Sequence, residues 1–493
     1  MAGSMRKLAG QTATYGISSV LARLLSFVMS TFFFTSFMTT AQFGVYNHIY
    51  SFMPFAMVLL TMGMESGYLR FAGKEDSASG KDKVFATAWG AVSFVSVIFF
   101  VVIMLFRPQI ASVMGYADRG NYIWLMGGII ALDAIAAIPY ARLREQGRAR
   151  RYVVVRTLSV VMQVALCVFF YVVWPRVSGP AIFANPADPG YAFLANLISS
   201  FITLVILLPD CDGILPRVDR KLFRRIFLYS LPLLISGILG TANEYIDRQF
   251  IKFLFPGQQG EEMLGIYSVP AKIASLMVLF TQMYKYAAEP FFLADFKKDD
   301  FKKSNAEAMK YYIIVSIFIF LALALYPDLI GKLLGKDFRE GMPMLPVMLI
   351  SNVMTGVILN LSFWYKQIGA TKYSILITSV GLVFTVVFNL LLTPRLGVWG
   401  AALARLICES VMVCVSYALN RKHYPIPYDL KRIGEYVLLG AAIYFIATAL
   451  SGLTMWLRYF VYLVLIAIFV VYAVWRERID VRGLLSSVLN KKK

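Results

Sequence analysis

A chain of 493 residues that is 59% hydrophobic and only 15% charged lies well above the roughly 45–50% apolar share of soluble domains, which excludes an ordinary water-soluble protein. Its net charge of +20 points to nucleic acid or to membrane topology, depending on where the basic residues lie.

A hydrocarbon core about 30 Å thick takes roughly 20 apolar residues per helix. Runs of that length, delimited by Gly, Pro or charge clusters, fall at 11–38, 44–66, 84–106, 121–141, 152–174, 191–208, 226–254, 265–292, 307–326, 342–364, 372–393, 398–419, 433–450 and 455–475. The expected fold is therefore an all-α integral membrane protein with 14 transmembrane helices.

Helix 1 follows Arg6 and Lys7 and is too long for a signal-peptide core, so it is expected to be retained. Arg23 lies about eleven residues into it, roughly 16 Å deep, near the midplane. Helix 2 opens on "FGVY" and places His48 near its outer start and Glu65 near its inner end. Such a histidine is more often an interfacial packing group than a proton relay. In helix 4, Asp133 is as deep as Arg23. Helix 7 carries Glu244, Asp247 and Arg248; Asp247 is near its outer end. Lys272 stands roughly 10 Å past Gly265, where helix 8 is expected to begin. Helix 12 carries Arg405 and Glu409.

Charges inside a membrane helix are costly and suggest a pathway unless they pair or reach water. Glu244 and Arg248, Lys285 and Glu289, and Arg405 and Glu409 are each four residues apart, a spacing that permits pairing on one helix face. Arg156 and Lys310 lie close enough to an interface to snorkel. Arg23, Asp133 and Lys272 survive this filter, with Glu65 and Arg405 as further candidates for a cavity.

With alternate connections assigned to the amino-terminal side, that side holds 32 of the 48 Lys and Arg residues and the opposite side nine. "RLREQGRARR" (142–151) and "RVDRKLFRR" (217–225) exemplify the bias. This is the positive-inside pattern, which places both termini in the cytoplasm. Topology, together with attraction to anionic membrane lipid, accounts for the charge without nucleic acid. The four cysteines lie in helices or on the inner side, so neither an outer disulfide nor a zinc spacing is expected, and no bound metal or cofactor.

The sequence also repeats. "FGVY" (43–46) and "LGIY" (264–267) are 221 residues apart, as are "EQGRARRY" (145–152) and "KQIGATKY" (366–373). "RPQIASVMG" (107–115) and "YPDLIGKLLG" (326–335) follow at nearly the same separation. Six helices per unit is an even number, so the units share one orientation. The expected organisation is a lobe over 1–210 (helices 1–6), a second over 222–420 (helices 7–12) in a parallel pseudo-twofold repeat, helices 13–14 over 431–476, and a basic cytoplasmic tail over 477–493. Paired bundles of this kind suit alternating access. An enzyme is not expected. No outer connection exceeds about 17 residues, and no phosphate loop, Ser/His/Asp set or HExxH occurs in a chain whose only histidines are His48 and His423.

"LPLLISGILGTANEYIDRQFIKFLF" followed by "LGIYSVPAKIASLM", with "FGVYNHIYSF" leading to "MESGYLRF", resembles the polysaccharide and oligosaccharide (O-antigen-type) flippases of the multidrug/oligosaccharidyl-lipid/polysaccharide exporter superfamily. The resemblance is diffuse and covers the whole chain. It implies flipping of a polyprenyl-diphosphate-linked oligosaccharide across the bacterial inner membrane by alternating access, for cell-surface polysaccharide such as lipopolysaccharide. It also implies H+ or Na+ as coupling ion, function as a monomer, and work alongside a polysaccharide polymerase and glycosyltransferases. The lipid II flippase, a relative, lines its cavity with arginines on helices 1, 2 and 8. By that resemblance Arg23 in "LARLLSF" and Lys272 in "PAKIASLM" take cationic positions and Glu65 in "MESGY" an acidic one, while Met29 and Leu60 stand where further arginines would be. The candidate cavity residues are thus Arg23, Lys272, Asp133, Glu65 and Arg405, with Asp247 and Glu244 as candidate coupling groups. The alternatives are a lipid II flippase or a cation-coupled antiporter of the multidrug and toxic compound extrusion type, in which acidic residues bind cationic drugs.

Overall fold

The computed structural model describes residues 24–177, 182–183, 185–294, 298–370 and 372–478; the side chains of 287, 289–291, 293–294 and 298–300 are outside the description. Arg23, the tail from residue 479 onward and the Glu289 side chain therefore lie outside the described residues. Within them the chain is helical throughout, without a strand. Thirteen helices are long and apolar enough to cross a membrane, and the described part of a further apolar helix is shorter, Leu24–Phe37. We number them α1 (Leu24–Phe37), α2 (Thr40–Ala72), α3 (Ala78–Leu105), α4 (Ala117–Glu145), α5 (Ala149–Arg176), α6 (Gly190–Cys211), α7 (Arg220–Leu254), α8 (Gln258–Ala294), α9 (Lys298–Ala324), α10 (Lys336–Gln367), α11 (Lys372–Leu396), α12 (Val398–His423), α13 (Leu430–Ala449) and α14 (Met455–Arg476).

Two boundaries differ from the hydropathy reading. Asp219 caps α7, its carboxylate accepting from the backbone N–H groups of Lys221 and Leu222, so the basic stretch Arg220–Arg225 is the first turns of a helix rather than a loop. α8 begins at Gln258, not at Gly265, which puts Lys272 roughly 21 Å along its helix at 1.5 Å per residue. Apolar content marks the lipid-facing stretch of a helix, whereas caps and hydrogen bonds set where the helix starts.

The described residues divide into two compact units. The first runs to Ile273 and adds Leu333–Gly341 and the stretch ending at Met412; the second holds Ala274–Lys332, Met342–Ala370 and the chain from Val413 onward. In the first unit, α2 starts from a capping box between Thr39 and Gln42 and is interrupted by two consecutive left-handed residues, Met62 (φ 49°) and Gly63 (φ 68°). The break turns Met64–Ala72 away from the preceding segment and leaves Glu65 in its first turn. α4, rich in Ala, Gly and Ile on every face, is mostly buried, as a helix apolar all round should be.

The amino-terminal-side loops of this unit form an ion-pair girdle. Arg142, 5% exposed, bridges Asp82 and Asp212 at 2.9 Å each. Arg148 and Arg151 both hold the buried carboxylate of Asp210, at 2.9 and 3.0 Å, and Lys83 holds Asp219 at 2.8 Å. Much of the basic charge that reads as topology is thus also structural.

In the second unit, Tyr312, Ile317 and Leu321 of α9 form a core with Tyr436 and Ile443 of α13 and Phe469 of α14. The Glu477 carboxylate, just after α14, takes an ion pair from Lys310, a second from Arg432 at 3.6 Å, and a hydrogen bond from the Tyr436 hydroxyl at 2.9 Å.

Candidate substrate-binding site

The sequence scatters charge over α7, α8 and α12; the first unit gathers it. Asp247, 3% exposed, lies about 10 Å before the end of α7 at Leu254. One carboxylate oxygen accepts from the Arg248 backbone N–H at 2.8 Å and from its guanidinium at 3.3 Å. The other accepts from the hydroxyl of Tyr267 on α8 and stands 3.9 Å from the Arg405 guanidinium of α12. Both arginines also approach the backbone carbonyl of Glu244, at 3.5 Å. Their side chains stay 13% exposed, whereas that of Asp247 is 4% exposed. The predicted pairing of Arg248 with the Glu244 carboxylate is not what forms. Arg248 turns to the adjacent Asp247, which is buried and needs a counter-charge more than the exposed Glu244 does.

Lys272 lies five residues past Tyr267 on α8, about 140° further round the helix, and so faces a different neighbour. Its half-buried side chain crosses to the first two helices. The ammonium lies 5.1 Å from the Phe43 ring centroid and 5.2 Å from that of Tyr46, both on α2, and donates at 3.5 Å to the Ser30 carbonyl in a π-helical turn of α1, Met29–Phe33. Two ring faces offer a partial replacement for water around a cation. Arg248 is near enough for the two positive charges to repel.

The other candidates lie apart from this cluster. Asp133 is half-buried on α4, facing Ser200 of α6 and Arg156 of α5. Glu65 accepts from Arg144 at 2.6 Å, both side chains more than a third exposed. Met29 and Leu60 are buried.

Tyr267 escapes a search for charge, yet it carries a signal: it is the tyrosine of "LGIY", and its counterpart in "FGVY" is Tyr46, under Lys272. A neighbouring network was also missed. His48, 3% exposed, is bonded at Nδ1 to the Tyr116 hydroxyl (2.9 Å) and at Nε2 to the Gln249 amide oxygen (2.7 Å). Gln249 in turn donates to Ser51 at 2.7 Å. A ring with a donor at Nε2 and an acceptor at Nδ1 satisfies both contacts as the neutral imidazole. Beside it Lys252, also on α7, is 7% exposed and paired with Glu261 at 3.0 Å.

A model of the family described as polysaccharide biosynthesis protein matches residues 8–293, more than half of the chain. The chain belongs to that family. Over 209 residues it is 28% identical to the capsular polysaccharide biosynthesis protein CapF of Staphylococcus aureus, a match covering 41% of the chain and 50% of that relative. The chain therefore spans about half the length of the curated relative it matches. In fold it is similar to the lipid II flippase MurJ in an inward closed conformation, with a TM-score of 0.74 at 14% identity, covering 94% of this chain and 99% of that one. It is also similar to a multidrug resistance MATE family transporter of the MOP superfamily in an inward-facing conformation, with a TM-score of 0.64 at 14% identity over 81% of this chain and 94% of that one. This polysaccharide biosynthesis family member is thus a multi-pass, all-helical membrane protein with a MurJ- and MATE-like transporter fold.

Proposed function

We propose that the chain flips a polyprenyl-diphosphate-linked oligosaccharide across the bacterial inner membrane, by alternating access of two parallel lobes, in the assembly of cell-surface polysaccharide. The observation that carries this reading is three cations in one unit, Arg248 of α7 and Arg405 of α12 beside Asp247 and Lys272 on α8, each roughly 9 Å or more from the nearer end of its helix. A diphosphate cannot enter a low-dielectric path without cationic partners, and guanidinium groups bind its oxygens in bidentate fashion. The polyprenyl tail stays in lipid while the sugars occupy a hydrated cavity. Lipid II as the cargo fits less well, because Met29 and Leu60 thin the cationic lining. Arg23 and Asp133 belong to the proposed cavity, and Glu65 to its inner rim. Both termini are cytoplasmic in this reading. H+ or Na+ is the proposed coupling ion, with Asp247 and Glu244 as groups that would sense it, and the polymerase and glycosyltransferases of the same assembly route as the working partners of a monomer.

The fold is shared with MATE transporters, so drug antiport is the competing reading, carried by the acids Asp133, Glu244 and Glu409. Expression in a strain lacking its own polysaccharide flippase separates the two. Restored surface glycan supports the proposal; drug resistance without surface glycan overturns it.

A further inference from the structure

The described cluster holds its own anion. Asp247 occupies the position between Arg248 and Arg405 that an anionic ligand would take, and it is the most deeply buried of the three side chains. Its carboxylate is further fixed by the Tyr267 hydroxyl and by the Arg248 backbone N–H. An arginine pair with a partly exposed edge inside a membrane protein faces a particular hazard. The surrounding lipid is a concentrated source of phosphodiester groups of single charge, any of which can settle on a guanidinium.

We propose that Asp247 is a specificity-determining residue: it acts as a resident counter-ion that keeps phospholipid headgroups off Arg248 and Arg405 and yields only to a diphosphate. This rests on the reading of the cluster as the diphosphate site. The argument is a competition. A phosphodiester brings one negative charge and would have to replace a carboxylate that is already buried, preorganised and hydrogen-bonded, so the exchange gains nothing to offset the separation of Asp247 from its partners. A diphosphate brings about two charges and oxygens enough to engage both guanidinium groups together, with Lys272 nearby to add a third contact. Arg248 directs Nη1 to Asp247 and to the Glu244 carbonyl, and its planar fork presents further donors beyond that nitrogen. During the exchange Asp247 keeps the Tyr267 hydroxyl as a donor, so the displaced carboxylate is not stripped of every partner. No covalent step is involved.

The test uses the full-length protein in nanodiscs of zwitterionic lipid, with farnesyl diphosphate, farnesyl monophosphate and short-chain phosphatidylglycerol as probes, measured by calorimetry. For the unmodified protein, farnesyl diphosphate is expected to bind, and the two probes with a single phosphorus to bind at least about tenfold more weakly, one charge-assisted contact's worth. Asp247→Asn preserves shape and the Tyr267 contact but removes the charge. It is expected to bind all three probes more tightly and to lose most of the discrimination among them. Asp247→Ser supplies the same readout if the Asn variant is unstable, and Arg405→Gln is expected to weaken the diphosphate selectively. Unchanged discrimination in both Asp247 variants, with diphosphate still bound, overturns the counter-ion role and leaves the diphosphate site standing. Failure of the unmodified protein to bind farnesyl diphosphate overturns the site and the inference with it.

Discussion

Gly44 of α2 and Gly265 of α8 bring two helices into backbone contact. A Cβ on Gly44 would meet the Glu261 carbonyl and lie 3.0 Å from the Gly265 nitrogen; a Cβ on Gly265 would meet the Thr40 carbonyl and lie 3.0 Å from the Thr40 Cα. Each glycine lets the other helix in, and the same two helices carry the contact of Lys272 with Phe43 and Tyr46. Gly44→Val and Gly265→Val are each expected to cost about 1–3 kcal/mol by overpacking, read as a lower melting temperature in detergent and a loss of surface glycan. Gly434→Ala is the control. Nothing lies within 4 Å of its added Cβ, and it should leave melting unchanged or slightly raised.

Lys272 gives a sharper separation of charge from fold. With its ammonium over Phe43 and Tyr46 rather than in water, Lys272→Gln is expected to remove one charge-assisted contact, about 1.5–3 kcal/mol or roughly 10- to 100-fold in transport, at matched expression. Lys272→Arg should retain part of the activity. Full transport by Lys272→Gln would reduce this lysine to an anchor.

Much of this was legible in the sequence. Charge distribution, hydropathy and the diffuse flippase resemblance foresaw a multi-pass helical membrane protein of the polysaccharide biosynthesis family. The spacing of "FGVY" and "LGIY" singled out the stretches that hold the glycine contact and both tyrosines. The turn after α4 recurs after α10. Gly147 (φ 67°) and Gly369 (φ 69°) are each followed by a backbone N–H that reaches back five residues, Arg148 to Leu143 at 2.9 Å and Ala370 to Tyr365 at 2.8 Å. Only a residue at ease with positive φ closes such a turn, so Gly147 and Gly369 each have a conformational reason. What escaped was partner choice. Spacing of four suggested Glu244 for Arg248, but which carboxylate is buried depends on how α8 and α12 pack, and no local pattern contains that. The partners of His48 and Lys252 stayed hidden for the same reason, because Tyr116, Gln249 and Glu261 come from other segments.

Glu477 is expected to show a pH signature in stability. Burial pushes its carboxyl up, but the Lys310 and Tyr436 hydrogen bonds and the Arg432 charge outweigh this and hold it below the ordinary glutamate value of 4.5. A depressed folded-state value means a stabilising contribution that is fully present above about pH 4.5 and fades as pH falls through the lower folded value. Glu477→Gln should therefore lower stability by about 1–3 kcal/mol at neutral pH, and its melting temperature should converge with that of the unmodified protein on acidification. A constant difference across pH 3–7 would remove the charge from the explanation.

Topology is accessible by chemical labelling. On a background with Cys167, Cys211, Cys408 and Cys414 replaced, cysteines at Ala149 and Ser304 are expected to resist an impermeant thiol reagent in intact cells, while one at Gln258 reacts. Reversed labelling would invert the orientation drawn from the 32-to-nine charge split.

The central claim, movement of a diphosphate-linked glycan, is tested most directly in proteoliposomes of purified protein containing a short-chain polyprenyl-diphosphate-linked oligosaccharide. Exposure of the inner-leaflet sugars to an impermeant lectin is followed over time. The account predicts that sugar initially hidden inside becomes accessible with the unmodified protein, and much more slowly with Lys272→Gln or Arg405→Gln. Accessibility no faster than in protein-free liposomes, together with proton-driven export of a cationic dye by the same vesicles, would contradict it.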